Sequence, residues 1–185
     1  MEALKIVGGC ILAAALYGVL NDEVTARVCL QYFTVLHPPR FHTESPTLLG
    51  IGWGIYATWP VGFGLGIVFA ICARGGQQPK LTLSDLAPLL LRLLGLIAVG
   101  ALASGTLGYF FGPLPARESY LLRITPTVRA GIPPGMVRRF VADWWAHIAS
   151  YAIGIVGGLA CCILVYRKRA RARNADRIAA APASA

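Results

Sequence analysis

The stretch AHIASYAIGIVGGLACCILVY, residues 146–166, is an almost unbroken apolar run that is followed directly by the basic cluster RKRARAR, residues 167–173. An α-helix needs about 20 apolar residues to cross the hydrocarbon core of a bilayer, and this run supplies them. Basic residues directly after a span are typical of its cytoplasmic end. The stretch therefore predicts a transmembrane helix that begins near Phe140 and ends at Tyr166.

Three other apolar runs extend this prediction to the whole chain. Of the 185 residues, 56% are hydrophobic and 14% are charged, whereas a soluble domain carries about 25% charged residues. Unpaired strand edges cannot lie in lipid, so the spans are expected to be helices. The predicted fold is all-α, a polytopic membrane protein with a four-transmembrane-helix bundle and two long outer connections. Its spans cover about residues 4–20, 48–73, 86–111 and 140–166.

The first span also has features of a cleavable signal peptide. Lys5 precedes an apolar core, and the small residues of LAAAL, 12–16, resemble a cleavage region. The basic region is weak, however, and the apolar stretch continues past the small residues. We therefore expect the first span to be retained, with cleavage as the alternative.

The distribution of basic residues predicts the orientation of the spans. The N-terminus, the 74–85 connection with Arg92, and the C-terminal tail together contain ten lysines and arginines. The long connections 21–47 and 112–139 contain seven. Because basic residues accumulate on the cytoplasmic side, both termini are predicted to be cytoplasmic, with the chain in the bacterial inner membrane.

The basic composition of the C-terminal tail indicates which partners to expect. One transmembrane domain, residues 1–166, is predicted to be followed by a basic cytoplasmic tail, residues 167–185, that is disordered at its end. Six of the seventeen basic residues lie in this tail, without the aromatic interleaving or folded module of a nucleic-acid-binding protein. We therefore expect the tail to contact anionic lipid, and we expect no nucleic-acid partner.

Pairs of small residues four positions apart recur in the spans and indicate close helix packing. Such pairs let helix backbones approach each other in lipid, where water does not drive association. They predict a packed bundle, and they also suit self-association or binding to another membrane protein. The pairs are Gly50/Gly54, Gly62/Gly66, Ala101/Gly105, Ser104/Gly108 and Gly154/Gly158.

Acids and histidines gather on the predicted outer side of the bundle. Asp143 and His147 lie one helical turn apart, and Tyr151 continues the same face. Polar side chains in a span generally face the protein interior and find partners there, and imidazole changes its charge near physiological pH. These three residues predict a ligand or proton site, and the connection after the first span adds His37, His42, Asp22 and Glu23.

A purely structural interpretation of the same residues is the alternative. Asp143 falls at headgroup level, where Arg139 one turn earlier can neutralise it, and Trp144 belongs to an aromatic belt. Asn21 is expected to cap a short interfacial helix with an acidic first turn. On this interpretation, the polar residues only mark the place where helices meet water.

Four of these residues also have donor atoms that suit a transition metal such as zinc: His37, His42, His147 and Asp143. Imidazole nitrogens and carboxylate oxygens bind zinc at about 2.0–2.2 Å when they converge. The spacing matches no metal signature such as HExxH, and the five cysteines contain no CxxC pair. The identity of any cofactor is left open, and no catalytic residue is predicted.

The segments NDEVTARVCLQYFTVLHPP (21–39), SPTLLGIGWGIYATWPVG (45–62) and DWWAHIASYAIGIVGG (143–158) resemble those of a group of small, uncharacterised four-span bacterial membrane proteins. The resemblance covers most of the chain short of the tail. It implies the four-span topology, and it implies no activity, cofactor or substrate.

The sequence predicts a small integral membrane protein that acts as a binding or accessory component without chemistry of its own. The first alternative is a small transporter or proton-coupled carrier with a polar site at the outer membrane face, in which Asp143, His147 and the outer acids form the relay. The second alternative is a metal-dependent membrane enzyme. The three functions differ in whether His147 is needed for activity or only for stability.

Overall fold

The described part of the chain is helical. This computed structural model describes residues 1–112 and 126–179, and these residues contain no β-strand. Four helices are long and apolar enough to cross a membrane, which confirms the predicted all-α fold. The elements are α1 (Glu2–Val28), a π-helical turn (Tyr32–Leu36), α2 (Pro46–Arg74), α3 (Leu83–Phe111), α4 (Pro126–Ala130), a 3-10 turn (Pro134–Met136) and α5 (Val137–Ala179).

Helix α1 continues well past the predicted end of the first span. Asn21 is an interior residue of α1 rather than a cap, so the prediction of a separate interfacial helix starting there is wrong. Asp22 and Thr25 are buried in the bundle, and Arg27 Nη1 pairs with Glu23 Oε2 at 2.6 Å. Because these polar residues have partners in the protein, they do not interrupt the helix.

The starts of α2 and α3 are fixed by local side-chain caps. Ser45 accepts a hydrogen bond from the backbone N–H of Leu48, and Pro46 occupies the first position of α2. Thr82 and Asp85 form a capping box at the start of α3. Caps of this kind satisfy N–H groups that the first turn of a helix leaves unpaired, so both boundaries follow from short sequence signals.

The four long helices pack as two pairs, α1 with α2 and α3 with α5. A Cβ added at Gly54 would lie 2.5 Å from the backbone nitrogen of Val19, and one at Gly62 would lie 2.7 Å from the carbonyl oxygen of Cys10. Such contacts leave no room for a side chain, so the glycines of α2 let it pack directly on α1. The close packing predicted from small-residue pairs is present at these glycines of α2, whereas Gly154 lines a cavity instead of a helix contact, and self-association stays a prediction.

Helix α5 continues past the predicted boundary between domain and tail and ends at Ala179. Arg169, in this extension, turns back into the bundle and is 2% exposed. Its guanidinium thus joins α5 to the end of α2 and to the connection that follows α2. It donates to four carbonyl oxygens: Nε to Pro79 at 2.6 Å, Nη2 to Gly75 at 2.7 Å and to Gln78 at 3.1 Å, and Nη1 to Cys72.

Residues 113–125 and 180–185 lie outside the described residues. Part of the second long connection and the predicted disordered end of the tail therefore stay predictions.

Two clusters of buried side chains fill the two ends of the bundle. One contains Tyr32, Trp53 and Trp144, and we call this end the His147 end. The other contains Ile6 and Phe69 and lies towards the carbonyl groups that bind Arg169, and we call it the Arg169 end. Trp144 is 7% exposed, so it packs inside the protein rather than in the predicted aromatic belt.

Candidate functional site

A cavity of about 150 Å³ lies between the two helix pairs. All four long helices contribute to its wall, and Tyr32 and Phe33 of the π-helical turn line it at the His147 end. The cavity is polar and aromatic at the His147 end and aliphatic towards the Arg169 end. The polar part includes Tyr17, Asp22, His147 and Tyr151, and the aliphatic part includes Leu65, Leu93 and Ile97.

A hydrogen bond between Asp22 and His147 crosses from one helix pair to the other. Both residues are buried, with 5% and 9% of their surface exposed. His147 Nδ1 lies 2.7 Å from the carbonyl oxygen of Asp143, and Nε2 lies 3.1 Å from Asp22 Oδ1. The carbonyl oxygen only accepts, so Nδ1 carries the donated proton, and Nε2 of a neutral ring then carries a lone pair. The contact with Asp22 therefore requires one more proton, bound to His147 or to Asp22.

A second polar contact between the helix pairs lies beside the first. The hydroxyl groups of Tyr17 and Ser150 are 2.8 Å apart. Ser150 Oγ also donates to the carbonyl oxygen of Ala146 at 2.9 Å, so the hydroxyl proton between Tyr17 and Ser150 comes from Tyr17. Together, the two contacts join α1 to α5 along the polar wall of the cavity.

Aromatic rings form the wall at the His147 end. Tyr32 stacks on His147 with ring centroids 4.4 Å apart and an interplanar angle of 24°. The His37 ring lies 5.1 Å from Tyr32 and 4.7 Å from Trp53, and its Nδ1 is 2.8 Å from the Tyr32 carbonyl oxygen. Burial raises the pKa of the Tyr32 phenol well above its ordinary value. The Tyr32 side chain is therefore neutral while it is stacked on His147.

Asp143 lies behind His147 and not in the wall of this cavity. Asp143 is 1% exposed, and its Oδ2 is buried with no hydrogen-bond partner among the described residues. The other contact of the carboxylate is with the backbone N–H of Cys29, whose thiol pKa is raised by burial. Within the described residues Asp143 has no ion pair with Arg139. The interpretation of Asp143 as a neutralised acid at the water interface is therefore wrong.

A groove of about 530 Å³ on the other side of Asp143 separates α1 from α3. Its wall is mostly apolar and includes Leu20, Val24 and Leu102, and Tyr17 borders both this groove and the cavity. Asp143 thus lies between two hollow regions, with His147 and Asp22 on its cavity side.

The structure brings together most of the residues predicted for a ligand or proton site. Asp22, His147, Tyr151 and His37 line the cavity, and Asp143 contacts His147 from behind. Glu23 instead pairs with Arg27 outside the cavity, and His42 is exposed in a shallow surface groove. Sequence reasoning did not assign Tyr17, Tyr32 and Ser150 to the site. Their only sequence signal is a polar group inside an apolar run.

The four residues predicted as metal ligands do not converge. Within residues 1–112 and 126–179, no group of three or more His, Cys, Asp or Glu side chains is arranged to hold a metal ion. The reason is visible in the bonding of His147, since its two ring nitrogens contact the Asp143 carbonyl and Asp22. His42 is exposed and lines the surface groove rather than the cavity, from which Phe33 and Trp53 separate it. The predicted site of His37, His42, His147 and Asp143 is therefore not formed.

No protein-family model, curated protein or solved structure matches the chain. The site must consequently be interpreted from its own geometry.

Proposed function

We propose that this chain is an integral membrane protein that binds an amphiphilic ligand in the cavity between its helix pairs, as a binding component without chemistry of its own. One observation supports this proposal above all: the same cavity has hydrogen-bonding groups at one end and aliphatic side chains at the other. Ligand pockets are usually apolar with a few placed polar groups that orient the ligand. A molecule with a polar head and an apolar tail matches that division.

The proposed location is the bacterial inner membrane, with both termini in the cytoplasm. Four helices of sufficient length and apolarity support membrane insertion, and the excess of lysine and arginine near the N-terminus, the 74–85 connection and the tail supports the orientation. The His147 end would then face the outer leaflet. The exposed basic residues of the α5 extension, such as Arg167 and Arg171, would face anionic lipid headgroups.

Filling the cavity tests the proposal. A Cβ added at Gly154 meets only Ile97 Cδ1, at 3.6 Å, so Gly154→Leu places a side chain in the cavity without a backbone clash. Gly95→Leu is the matched control, because a Cβ there meets nothing within 4 Å and faces away from the cavity. The two variants carry the same change in helix propensity, since both replace a helical glycine by leucine.

The binding experiment uses three isotope-labelled probes that share a decyl chain: decyltrimethylammonium, decanol and decyl sulfate. Each is titrated onto protein in lipid nanodiscs, and binding to empty nanodiscs is subtracted. We expect saturable binding of at least one probe to the wild type and to Gly95→Leu, and a loss of that binding in Gly154→Leu. Binding of no probe, or equal binding to all three proteins, would refute the proposed function.

A proton-coupled carrier is the second candidate, and the shared proton between Asp22 and His147 favours it. That proton lies in a contact between the helix pairs, so its loss weakens the contact that closes one end of the cavity. In proteoliposomes, an imposed pH gradient should drive uptake of the bound probe with the wild type. At probe concentrations that saturate binding to each protein, Asp22→Asn should abolish the gradient-driven uptake, because an amide donates to neutral His147 without an additional proton. Uptake no greater than in protein-free liposomes would remove this candidate.

A further inference from the structure

We infer that the ligand of the cavity is an organic cation with an apolar tail, such as an alkyl amine or an alkyl quaternary ammonium. This inference rests on the proposed function and names the chemical class of the head group. It follows from the charge, the aromatic rings and the aliphatic side chains of the cavity lining.

The charge of the lining favours a cation. Asp22 is the only carboxylate among the described residues of the cavity wall, and no lysine or arginine is among them. The nearest basic residues in sequence are committed elsewhere, since Arg27 pairs with Glu23 and the Arg40 guanidinium lies 4.4 Å over the Tyr56 ring. An anionic head group would lose its hydration on entering the cavity. It would then lie near Asp22 without a lysine or arginine to balance its charge, so its binding would be unfavourable.

The carboxylate of Asp22 has an oxygen free for the head group. Oδ1 accepts from Asn21 Nδ2 at 3.0 Å and contacts His147 Nε2 at 3.1 Å. Oδ2 takes part in neither of these contacts. A cation near Oδ2 would replace the additional proton of the Asp22–His147 contact as the charge that balances the carboxylate, and the bond from Asn21 to Oδ1 would be retained.

The rings around the polar end suit the same head group. Tyr32, Phe33 and Trp53 line the cavity together with His37. Aromatic faces attract cations through their quadrupole, most strongly for tryptophan, and cages of aromatic rings bind quaternary ammonium groups. A neutral polar head group would gain nothing comparable from these rings.

The remainder of the cavity fits an alkyl chain. Beyond Thr58, the lining consists of small and aliphatic side chains with one aromatic ring, including Val61, Leu65, Leu93 and Ile97. Each methylene buried there is stabilised by the hydrophobic effect relative to water. A cavity of about 150 Å³ takes a ligand about the size of benzene, so the head group and the first methylenes of a decyl probe would lie inside it and the rest of the chain would extend out of it.

The test compares the head groups of the three decyl probes in nanodiscs with a pair of charge variants. Asp22→Asn removes the cavity carboxylate, and its amide can still donate to His147 Nε2, so the contact between helix pairs is retained. Glu23→Gln is the matched control, because it also removes one carboxylate, from the next residue in the sequence, which does not line the cavity. Decyltrimethylammonium keeps its charge at every pH, so its binding reports on the protein alone.

We expect the wild type and Glu23→Gln to bind decyltrimethylammonium at least about tenfold more tightly than decanol, and decyl sulfate least. In Asp22→Asn the affinity for the cation should fall to that for decanol, while decanol binding is unchanged. Unchanged cation binding in Asp22→Asn, or tighter binding of decanol or decyl sulfate than of the cation, would overturn the inference. In the second case, loss of binding in Gly154→Leu would still support the proposed function. Binding of none of the three probes would refute both.

Discussion

The two ends of the bundle join the same helix pairs by different chemistry. At the Arg169 end, a permanently charged guanidinium donates to four carbonyl oxygens at the end of α2 and in the following connection. At the His147 end, a carboxylate and an imidazole are joined by a single proton beside a cavity. A guanidinium is a permanently charged donor, whereas the second contact requires one proton more than neutral His147 and ionised Asp22 carry together. The bundle is thus fixed at one end and adjustable at the other.

Removing the fixed contact should have the largest effect. Arg169→Ala leaves four carbonyl groups without their charged donor, and we expect the free energy of unfolding to fall by about 3 kcal/mol. Unfolding in mixed micelles with increasing dodecyl sulfate measures it. Arg171→Ala, two residues along on the exposed side of α5, should change it by less than about 0.5 kcal/mol. Equal losses in the two variants would mean that the contact does not join the pairs.

Breaking the adjustable contact should have a smaller effect that depends on the substitute. Asp22→Ala leaves buried His147 Nε2 without its partner, and we expect a loss of about 2 kcal/mol, whereas Asp22→Asn should lose less than about 1 kcal/mol. A double-mutant cycle with His147→Ala isolates the contact. Additive losses in that cycle would show that Asp22 and His147 do not interact.

Alkaline pH should weaken the His147 end through the Tyr32 phenol. The pKa of Tyr32 is raised in the folded protein, so above about pH 10 the unfolded chain loses a proton that the folded chain retains. The stability that Tyr32 contributes is therefore complete below pH 10 and is lost as the pH rises further. At pH 11 we expect a loss of about 1.4 kcal/mol relative to Tyr32→Phe, which keeps the ring. Parallel pH profiles of the wild type and Tyr32→Phe would contradict this.

The smallest effect should come from the second polar contact. Tyr17→Phe removes the hydroxyl that donates to Ser150 at 2.8 Å, and we expect a loss of about 1 kcal/mol. Tyr166→Phe serves as the control because that side chain is 56% exposed. Thermal unfolding of both variants in the same detergent measures the difference. A larger loss in the control would show that the Tyr17–Ser150 contact adds nothing.

The bundle itself could be predicted from the sequence because its signals are local. Each apolar run, and each cap at Ser45 and Thr82, depends only on residues that are close together in the sequence. The end of α1 could not be predicted in the same way. Asp22 looks like a surface acid in its own segment, and only His147, which is 125 positions away, makes it a buried residue within a helix.

The same reasoning explains why Arg169 was assigned to the tail. In sequence it is one of several arginines after the last apolar run, indistinguishable from Arg171. Its acceptors are backbone carbonyl groups some 90 positions earlier, and a carbonyl group carries no sequence signal. Only part of the candidate site could be predicted, for a related reason. Acids and histidines are rare in membrane spans and therefore indicate a site, whereas tyrosine and serine are common there and do not.

The direct backbone contact of α1 and α2 through Gly54 and Gly62 has a mechanical consequence. Because no side chains separate the two backbones at these glycines, we expect α1 and α2 to move as one rigid unit. We therefore expect a rearrangement of the bundle to tilt α1 and α2 together against α3 and α5, with the smallest displacement near Arg169 and the largest near Asp22. The cavity lies between the two helix pairs, so such a tilt would change its width and the length of the Asp22–His147 contact in its wall at the same time.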